Sequence, residues 1–467
     1  MIEHLNRRQF LKLTSAMGVL PFIPSCVLQK TYWAKAEKIQ HQLGAPTIPR
    51  REFNLDEYGA KGDGLFKNTQ VFEAAIKACA AAGGGRVIVP KGRYLTGAIE
   101  LTSNVELHLQ AEAELLFSTE PNDYPKVLSR YEGVELYNYS PLIYAYKAQN
   151  IALTGRGLIN GQAADENWWS WCGSPKFGWQ PGMPRQTEDR NALFDMAEAG
   201  VAVEKRQFGH GHFLRPSMVE FYQCENVLIE DVTLKDSPFW NIHPVLSRNV
   251  TVRGVTVTGH GPNNDGCNPE SVNGMLIENC LFDTGDDCIA IKSGRNADGR
   301  RLMIASENIV IRHCRMRAGH GGVVIGSEIS GGVRNVFVEH CQMDSPELWY
   351  ALRFKNNAMR GGVIEDIYVR DVTVGQVKFA AITCDFNYEE GANGEFTPQL
   401  NNLQVDNLKV KHAIRVLDSQ GLDNAPIRGI RLTDCQFNGV TQASIVKNTQ
   451  QLILDNVAVN GKPVSSL

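Results

Sequence analysis

The chain has 467 residues with 47 basic and 51 acidic side chains, 43 glycines and 11 cysteines, and 43% of it is hydrophobic. This composition excludes a disordered protein, and glycine without a period of three excludes collagen. A formal net charge of −4 gives no general attraction to polyanions, so we expect no nucleic-acid partner. The longest apolar run is too short to cross a bilayer, which predicts that this is not an integral membrane protein.

The first residues are typical of an export signal. The segment from Arg7 to Lys12 contains a pair of arginines, and a mildly apolar stretch follows over 13–23. A charged region before a short apolar region is the arrangement of a secretory signal, and the arginine pair resembles a bacterial twin-arginine signal. We therefore predict an export signal over 1–26 and a protein of the periplasm or bacterial cell surface.

The residues around and after the end of this signal are less specific. The segment that ends at Cys26 faintly resembles a lipoprotein processing site, although Pro24 fits it poorly, so a lipid anchor on Cys26 stays an open alternative. Residues 27–50 end in a turn-rich stretch, and we predict that they form a linker. The catalytic domain is then expected over 51–467.

A helical pattern comes before the first strand patterns. Apolar residues recur at helical spacing between Asn68 and three glycines that begin at Gly83. Strand patterns follow over Arg86–Pro90 and Val105–Leu109. We predict that the helix covers the open end of the fold described next, where an exposed strand edge would invite unwanted pairing.

A seven-residue pattern repeats from residue 226 onward and defines the fold. Its alternation of apolar and polar residues predicts short strands, and no stretch between copies has the length and period of a crossover helix. This excludes doubly wound and TIM-barrel folds and favours an all-β, single-stranded parallel β-helix, with glycines at the corners between strands. The copies begin at Asn226, Asn249, Gly274, Asn308, Asn335, Asp366, Asn402, Gly429 and Gln451.

Several cysteines share one position of this repeat. They stand at the seventh residue, where valine stands in other copies: Cys280, Cys314, Cys341 and Cys435. A cysteine at such a position behaves as a small buried hydrophobe, so we expect an interior stack of thiols. The chain has no Cys-x-x-Cys pair, and we expect no metal and no cofactor.

The repeat is lost between Gln162 and Arg215. This insert contains four of the seven tryptophans: Trp168, Trp169, Trp171 and Trp179. Their rings could overhang a cleft and stack on sugars, or they could only anchor the insert to the coil. The sequence leaves both interpretations open.

Four polar clusters interrupt the repeat at intervals of about one coil. They are Asn263-Asn264-Asp265, Gly285-Asp286-Asp287, Gly319-His320-Gly321 and Arg353-Phe354-Lys355. Residues one coil apart lie above each other in a solenoid, so we expect these clusters on one face. Three neighbouring carboxylates cannot all ionise freely, so one can act as a general acid while another activates water. Hydrolysis of a glycosidic bond needs this pairing.

Cationic side chains accompany these carboxylates. Arg353 and Lys355 lie two residues apart on a predicted strand, so they point the same way and could hold an anionic group. Lys292 and Arg295 could extend this patch. Each motif alone also fits a turn, a solvated corner or an exposed strand. Their joint order and spacing favour a functional site.

The four clusters resemble the signatures of glycoside hydrolase family 28, the polygalacturonase family, and the similarity extends over about residues 52–460. The resemblance implies a right-handed parallel β-helix that hydrolyses α-1,4-galacturonan with inversion, on a pectic polysaccharide or oligogalacturonide. Asn264 and Phe354 stand where the family usually has Thr and Ile, and neither position has a proposed chemical role.

The resemblance also implies roles for individual residues. Asp286 is the expected general acid, Asp265 and Asp287 share the activation of water, and His320 maintains their protonation. The expected substrate-binding residues are Asn263, Lys292, Arg295, Arg353 and Lys355.

Two further features bear on the mode of action. The segment Gly294–Arg301 and the Trp-rich insert resemble exo-acting bacterial members of the family, so exo action is expected. Alternatives are a rhamnogalacturonan- or xylogalacturonan-cleaving hydrolase, a pectate lyase-like β-helix, and a glycan-binding solenoid without activity. The sequence does not indicate an oligomeric state.

Overall fold

The computed structural model of the protein describes residues 25–467, with side chains from Tyr32 onward. The predicted export signal over 1–26 therefore lies almost wholly outside the described residues, as does the side chain of Cys26. The described chain winds into three long parallel sheets, which confirms the predicted right-handed parallel β-helix.

The first sheet contains the seven-residue repeat. Within residues 25–467 its 13 strands are Glu52–Asn54, Gly85–Val89, Val105–Leu109, Gln149–Gly155, Glu225–Glu230, Arg248–Arg253, Asn273–Glu278, Ser306–Arg312, Val333–Glu339, Val363–Arg370, Gln399–Asp406, Ile427–Thr433 and Thr449–Asp455.

The second sheet follows the first around each coil. Its 14 strands in the described chain are Asp63–Lys67, Gly92–Thr96, Ala113–Phe117, Leu158–Asn160, Thr233–Lys235, Thr256–Gly259, Leu281–Thr284, Arg315–Met316, Gln342–Met343, Thr373–Gln376, Lys409–His412, Gln436–Phe437, Val457–Val459 and Lys462–Val464. Only the last of these pairs antiparallel.

The third sheet has two parts, which single bridges at Cys267 and Glu270 join. Its strands are Ile99–Glu100, Ile143–Tyr146, Val219–Tyr222 and Ile242–Val245, then Ile289–Ile291, Val323–Ile325, Leu352–Lys355, Ala380–Asp385, Arg415–Gln420 and Ile445–Lys447. Lys126–Tyr131 and Val134–Tyr139 form a separate antiparallel hairpin, which packs against the third sheet through Val127 and Leu128.

The register of the first sheet follows the repeat. The second residue of each copy pairs with the same residue of the next copy, in one row: Val227, Val250, Met275, Ile309, Val336, Ile367, Leu403, Ile430 and Leu452. These side chains alternate with outward-facing ones, and most of the row is fully buried. The apolar interior of the coil is therefore a set of such rows.

Corners at both ends of the repeat need a left-handed backbone. Asn226 at the first position has φ 57°, and Asp231 at the sixth has φ 62°. Outside glycine, Asn, Asp and His adopt this conformation most readily, and His313 and His340 do so at the sixth position of later copies. Asparagine and aspartate therefore share the corners that the sequence analysis assigned to glycine.

The predicted stack of thiols is confirmed. Cys280, Cys314, Cys341 and Cys435 are buried inside the coil. The ten cysteines among the described side chains are all free thiols.

Four α-helices lie within the described residues: α1 (Ser25–Gln42), α2 (Thr69–Ala81), α3 (Thr187–Glu198) and α4 (Asn296–Leu302). Short 3₁₀ helices span Leu55–Tyr58, Pro121–Asp123, Trp168–Cys172, Pro175–Phe177 and Val203–Lys205. None of the described helices is long and apolar enough to span a membrane. Helix α2 buries Phe72, Ala75, Ile76 and Cys79 against the first coil, which confirms the predicted cap.

The linker predicted over 27–50 is wrong for the part that forms α1. Trp33, Ala36 and Ile39 are buried one helical turn apart on the outer face of the first sheet. Their partners belong to four successive coils: Leu276, Val310, Phe337 and Tyr368. This narrow apolar stripe is embedded in polar sequence, and for that reason the composition suggested a linker.

Replacing Trp33 by alanine should loosen α1 from the coil. The Trp33 ring lies edge-on to Phe337 and under the Arg370 guanidinium, 3.8 Å from the ring centre. Loss of a buried Trp side chain costs about 3 kcal/mol, so the α1 amides should exchange with deuterium roughly 100-fold faster. Lys38→Ala on the exposed face is the control. Equal exchange in wild type and Trp33→Ala would show that these contacts do not hold the helix.

Candidate active site

The four polar clusters meet at one face of the coil, where the second sheet turns into the third. Asp265 follows the strand Thr256–Gly259, and Asp286 and Asp287 lie between the strands Leu281–Thr284 and Ile289–Ile291. His320 precedes Val323–Ile325 on the following coil, and Arg353 and Lys355 lie on Leu352–Lys355, which pairs with Val323–Ile325 one coil further. The structure therefore brings together the residues that the coil spacing places in line.

A close approach of two coils explains the glycine of the Gly-Asp-Asp cluster. A Cβ atom added to Gly285 would lie 2.4 Å from the carbonyl oxygen of Gly261 on the preceding coil. Only glycine permits this contact. The two aspartates that follow differ in exposure: the side chain of Asp286 is 21% exposed, and that of Asp287 is 1% exposed.

Two of the three carboxylates have a close cationic or imidazole partner. His320 Nδ1 lies 2.9 Å from Asp286 Oδ1. Lys355 Nζ donates to Asp287 Oδ2 at 2.8 Å, and Arg353 Nη1 lies 3.6 Å from Asp287 Oδ1. The imidazole and the two cations thus hold both carboxylates of the Asp-Asp pair in place.

The third carboxylate is held mainly by neutral groups. Asp265 Oδ2 accepts a hydrogen bond from Asn268 Nδ2 at 2.7 Å, and Lys292 Nζ lies 3.9 Å away. The Asp265 carbonyl accepts from Asn241 Nδ2 at 2.9 Å. Asp265 is also buried. Of the three carboxylates, it is therefore the one whose negative charge is balanced least by a nearby cation or imidazole.

The different surroundings push the pKa values of two carboxyls apart. Burial raises the pKa of Asp265 well above its usual range, and the charge of Asp286 adds to this rise. Burial would also raise the pKa of Asp286, but the hydrogen bond and charge of His320, with Lys355 and Lys292, lower it to about 2. In the open cleft the proton is therefore favoured on Asp265, while Asp286 is ionised beside His320.

Aromatic rings support the imidazole and the cations, and sequence reasoning missed them. The His320 ring stacks on Trp349 with ring centres 3.8 Å apart. Lys355 Nζ and the Arg353 guanidinium lie 5.2 Å and 5.6 Å from the Tyr388 ring centre. Tyr388 lies three residues beyond Asp385, the residue that pairs with Lys355 on the next coil, and it stands in no recurring motif, so the coil spacing did not point to it.

The other predicted substrate-binding residues have different surroundings. Asn263 faces the cleft, and its Oδ1 accepts from Arg215 Nη2 at 2.7 Å. Lys292 forms part of the cleft floor, but its ammonium donates to Glu328 at 2.8 Å. Arg295 is buried outside the cleft lining, with Nη1 3.6 Å from Glu132 and from Glu328. Lys292 and Arg295 therefore do not form an open cationic patch.

The cavity over the carboxylates has a volume of about 110 Å³. Three of its walls come from segments outside the repeat: Glu132 at the tip of the hairpin, Arg190 on α3 and Glu389 after the strand Ala380–Asp385. Sequence reasoning missed these residues and also Trp240, Ser327 and Glu328, because none of them stands in a recurring motif.

Three tryptophans of the insert, Trp168, Trp169 and Trp171, anchor it to the coil. Trp168 is buried in the core and packs against Trp171 with ring centres 4.8 Å apart. Trp169 Nε1 donates to the Ser237 carbonyl at 2.9 Å. None of the four tryptophans of the insert lines the cavity, so the structure favours anchoring over sugar stacking.

The parallel β-helix carries a cleft with three carboxylates, an imidazole and two cations. This combination of fold and site defines a glycoside hydrolase. The sequence profile of the glycosyl hydrolases family 28 matches residues 209–452. The chain belongs to this family, and the resemblance stated from its motifs is confirmed.

Individual relatives agree with this assignment. The crystal structure of a hyperthermoactive exopolygalacturonase from Thermotoga maritima is 44% identical, with a TM-score of 0.90 over 92% of this chain and 96% of that one. An exo-poly-alpha-D-galacturonosidase of Dickeya chrysanthemi is 27% identical over 468 residues, 90% of this chain and 76% of that protein. A probable polygalacturonase of Vitis vinifera is 28% identical over 409 residues, 84% of this chain and 75% of that protein.

Replacing His320 by asparagine should raise the pKa of Asp286. The substitution removes the charge of the imidazole, which is one of the causes that lower this pKa to about 2, and burial, which raises it, remains. We expect Asp286 to titrate at a higher pH than in wild type, measured by ¹³C carboxyl shifts and assigned with Asp286→Asn. His313→Asn, on an exposed corner, is the control. A titration still near pH 2 in His320→Asn would contradict this account.

Proposed function

We propose that the protein hydrolyses α-1,4-galacturonosidic bonds of polygalacturonate from the chain end, with inversion. The observation that carries the proposal is the placement of Arg353 and Lys355 beside Asp287, next to the exposed carboxyl of Asp286. Two cations at this point would bind the carboxylate of an acidic sugar whose glycosidic bond lies over Asp286. The names of the Thermotoga and Dickeya relatives support the same substrate.

Asp286 is the residue proposed to protonate the leaving oxygen. Its carboxyl is the one of the three that is open to the cleft. A sugar seated over it removes water and raises its pKa, which favours the protonated form. His320 Nδ1, at 2.9 Å, is placed to resupply the proton after each turnover.

Asp265 and Asp287 are the residues proposed to activate water. Asp287 Oδ1 is buried and has no hydrogen-bond partner among the described side chains, so it can accept one from a water molecule. Asp265 lies on the same floor, and burial raises its pKa, which makes it the stronger base when ionised. Inversion requires a water between such a base and the sugar, and family membership supports this outcome.

The walls of the cavity support exo action. Glu132, Arg190 and Glu389 line the cavity over the carboxylates and come from segments outside the repeat, and we infer that they stop a longer sugar chain from continuing past the carboxylates. The segment Gly294–Arg301 braces one wall, because Asp298 Oδ2 accepts from the Glu135 amide of the hairpin at 2.8 Å. A closed end limits cleavage to chain ends.

We propose export to the periplasm or cell surface on the basis of the arginine pair and apolar stretch before residue 24. A lipid anchor on Cys26 remains an alternative form of the mature protein. The proposed partner is a pectic polysaccharide or oligogalacturonide.

Polygalacturonic acid should yield galacturonate or a short saturated product from the first minutes. If the inferred walls admit only a chain end, the polymer should shorten without a ladder of intermediate oligomers, as resolved by anion-exchange chromatography. A ladder would contradict exo action. An unsaturated, ultraviolet-absorbing product would indicate a lyase, and an intact polymer would indicate a binding protein. Faster cleavage of rhamnogalacturonan or xylogalacturonan would favour those alternative substrates.

Asp286→Asn should retain the fold and lose most of the activity. An amide cannot donate the proton that the leaving oxygen needs, and loss of general acid catalysis costs about 10²–10⁴-fold in kcat. Asp455→Asn, the same change at an exposed position of the last coil, should behave as wild type. Full hydrolysis of polygalacturonate by folded Asp286→Asn would remove this residue from the mechanism.

A further inference from the structure

One buried lysine lies between two acids beneath the cleft. Lys292 Nζ donates to Glu328 Oε2 at 2.8 Å and to the Gly326 carbonyl at 3.4 Å, while Asp265 Oδ2 is 3.9 Å away. The side chains of Lys292 and Glu328 are 4% and 7% exposed. The single cation nearest to Asp265 is therefore shared unequally, in favour of Glu328.

This arrangement leaves Asp265 with weaker charge compensation than its two neighbours. Asp287 has Lys355 at 2.8 Å, and Asp286 has His320 at 2.9 Å. The attraction between unlike charges falls with distance and is screened little in a buried site. If Lys292 moved by about 1 Å toward Asp265, all three carboxylates would have a cationic or imidazole partner at hydrogen-bond distance.

Glu328 also has contacts on the side that faces away from Lys292, and these keep it in place without help from Lys292. Ser327 Oγ donates to Glu328 Oε1 at 3.1 Å, and Arg295 Nη1 lies 3.6 Å from the same oxygen. Lys292 itself lies over the Trp240 ring, 4.7 Å from its centre. Glu328 can therefore act as a fixed anchor that sets where the ammonium rests.

We propose that Glu328 is a positioning residue, which holds Lys292 away from Asp265 and so keeps Asp265 basic enough to accept a proton from the attacking water. The inference rests on the proposed function, in which Asp265 shares in activating water. The charged groups on the cleft side of Asp265 are Asp286, Asp287, Lys292 and Lys355. Those around the far side of Glu328 are Glu132, Arg295, Arg360 and Glu389.

Two substitutions should move the pH profile in opposite directions. The acid limb of kcat/KM reports the deprotonation of the base in the free enzyme. In Glu328→Gln the ammonium is released to pair with Asp265, which stabilises the carboxylate and moves the acid limb down by about one pH unit. In Lys292→Met the nearest cation is lost, so the acid limb moves up by about one pH unit. Lys292→Gln should shift it in the same direction and is the substitute if Lys292→Met does not fold.

A double variant and a matched control separate this role from general damage. Since Glu328 acts through Lys292, Glu328→Gln should add no further shift to Lys292→Met. Glu390→Gln removes a charge near Arg295 and Arg360 but has no contact with Lys292, so its acid limb should stay at the wild-type pH.

The outcomes also distinguish the inference from the proposed function. If wild type hydrolyses polygalacturonate but both single variants lose rate without a shift, or shift in the same direction, Glu328 is only structural. If wild type leaves the polymer intact, the proposed function fails. In that case ¹³C titration of the Asp265 carboxyl still tests the charge arrangement, since its pKa should fall in Glu328→Gln and rise in Lys292→Met. An unchanged pKa in both variants overturns the inference.

Discussion

The stacking of coil on coil in fixed register is the constraint on which the site depends. Each coil hydrogen-bonds to the next through three parallel sheets, so residues separated by one turn of the chain are placed within a few ångströms of each other. Asp265, Asp286, His320 and Arg353 come from four consecutive coils and reach one cleft by this means alone. The coil is thus a rigid frame, and the chemistry of the site is set by side chains that this frame holds in place rather than by separate loops.

Three carboxylates lie close together on this frame, so their negative charges have to be balanced by neighbouring groups. Each of the three is balanced differently. His320 holds Asp286 ionised at the open side of the cleft, and Lys355 holds Asp287 on the floor. Asp265 is left with a distant cation and a raised pKa. In the proposed mechanism a sugar seated over Asp286 excludes water and raises the pKa of this carboxyl, so that an acid at the surface of the cleft works with bases below it, as hydrolysis of a glycosidic bond requires.

The sequence was informative wherever the repeat continued. Alternating apolar residues recur from copy to copy, so the fold could be predicted, and the spacing of about one coil predicted that the four clusters share one face. Helix α1 was missed because its apolar stripe is short and lies in polar sequence. The walls at Glu132 and Arg190 come from segments without the repeat, and the position of Glu328 depends on contacts across coils, so neither had a local signal.

The stereochemistry of the first product tests the central claim most directly. In the proposed mechanism, in which Asp286 is the acid, water activated by Asp265 and Asp287 attacks the face of the sugar away from the leaving group. Proton NMR of an oligogalacturonide digest should therefore show the β-anomer of the new reducing end first, with the α-anomer growing later by mutarotation. Appearance of the α-anomer first would mean retention and would contradict this assignment of acid and bases.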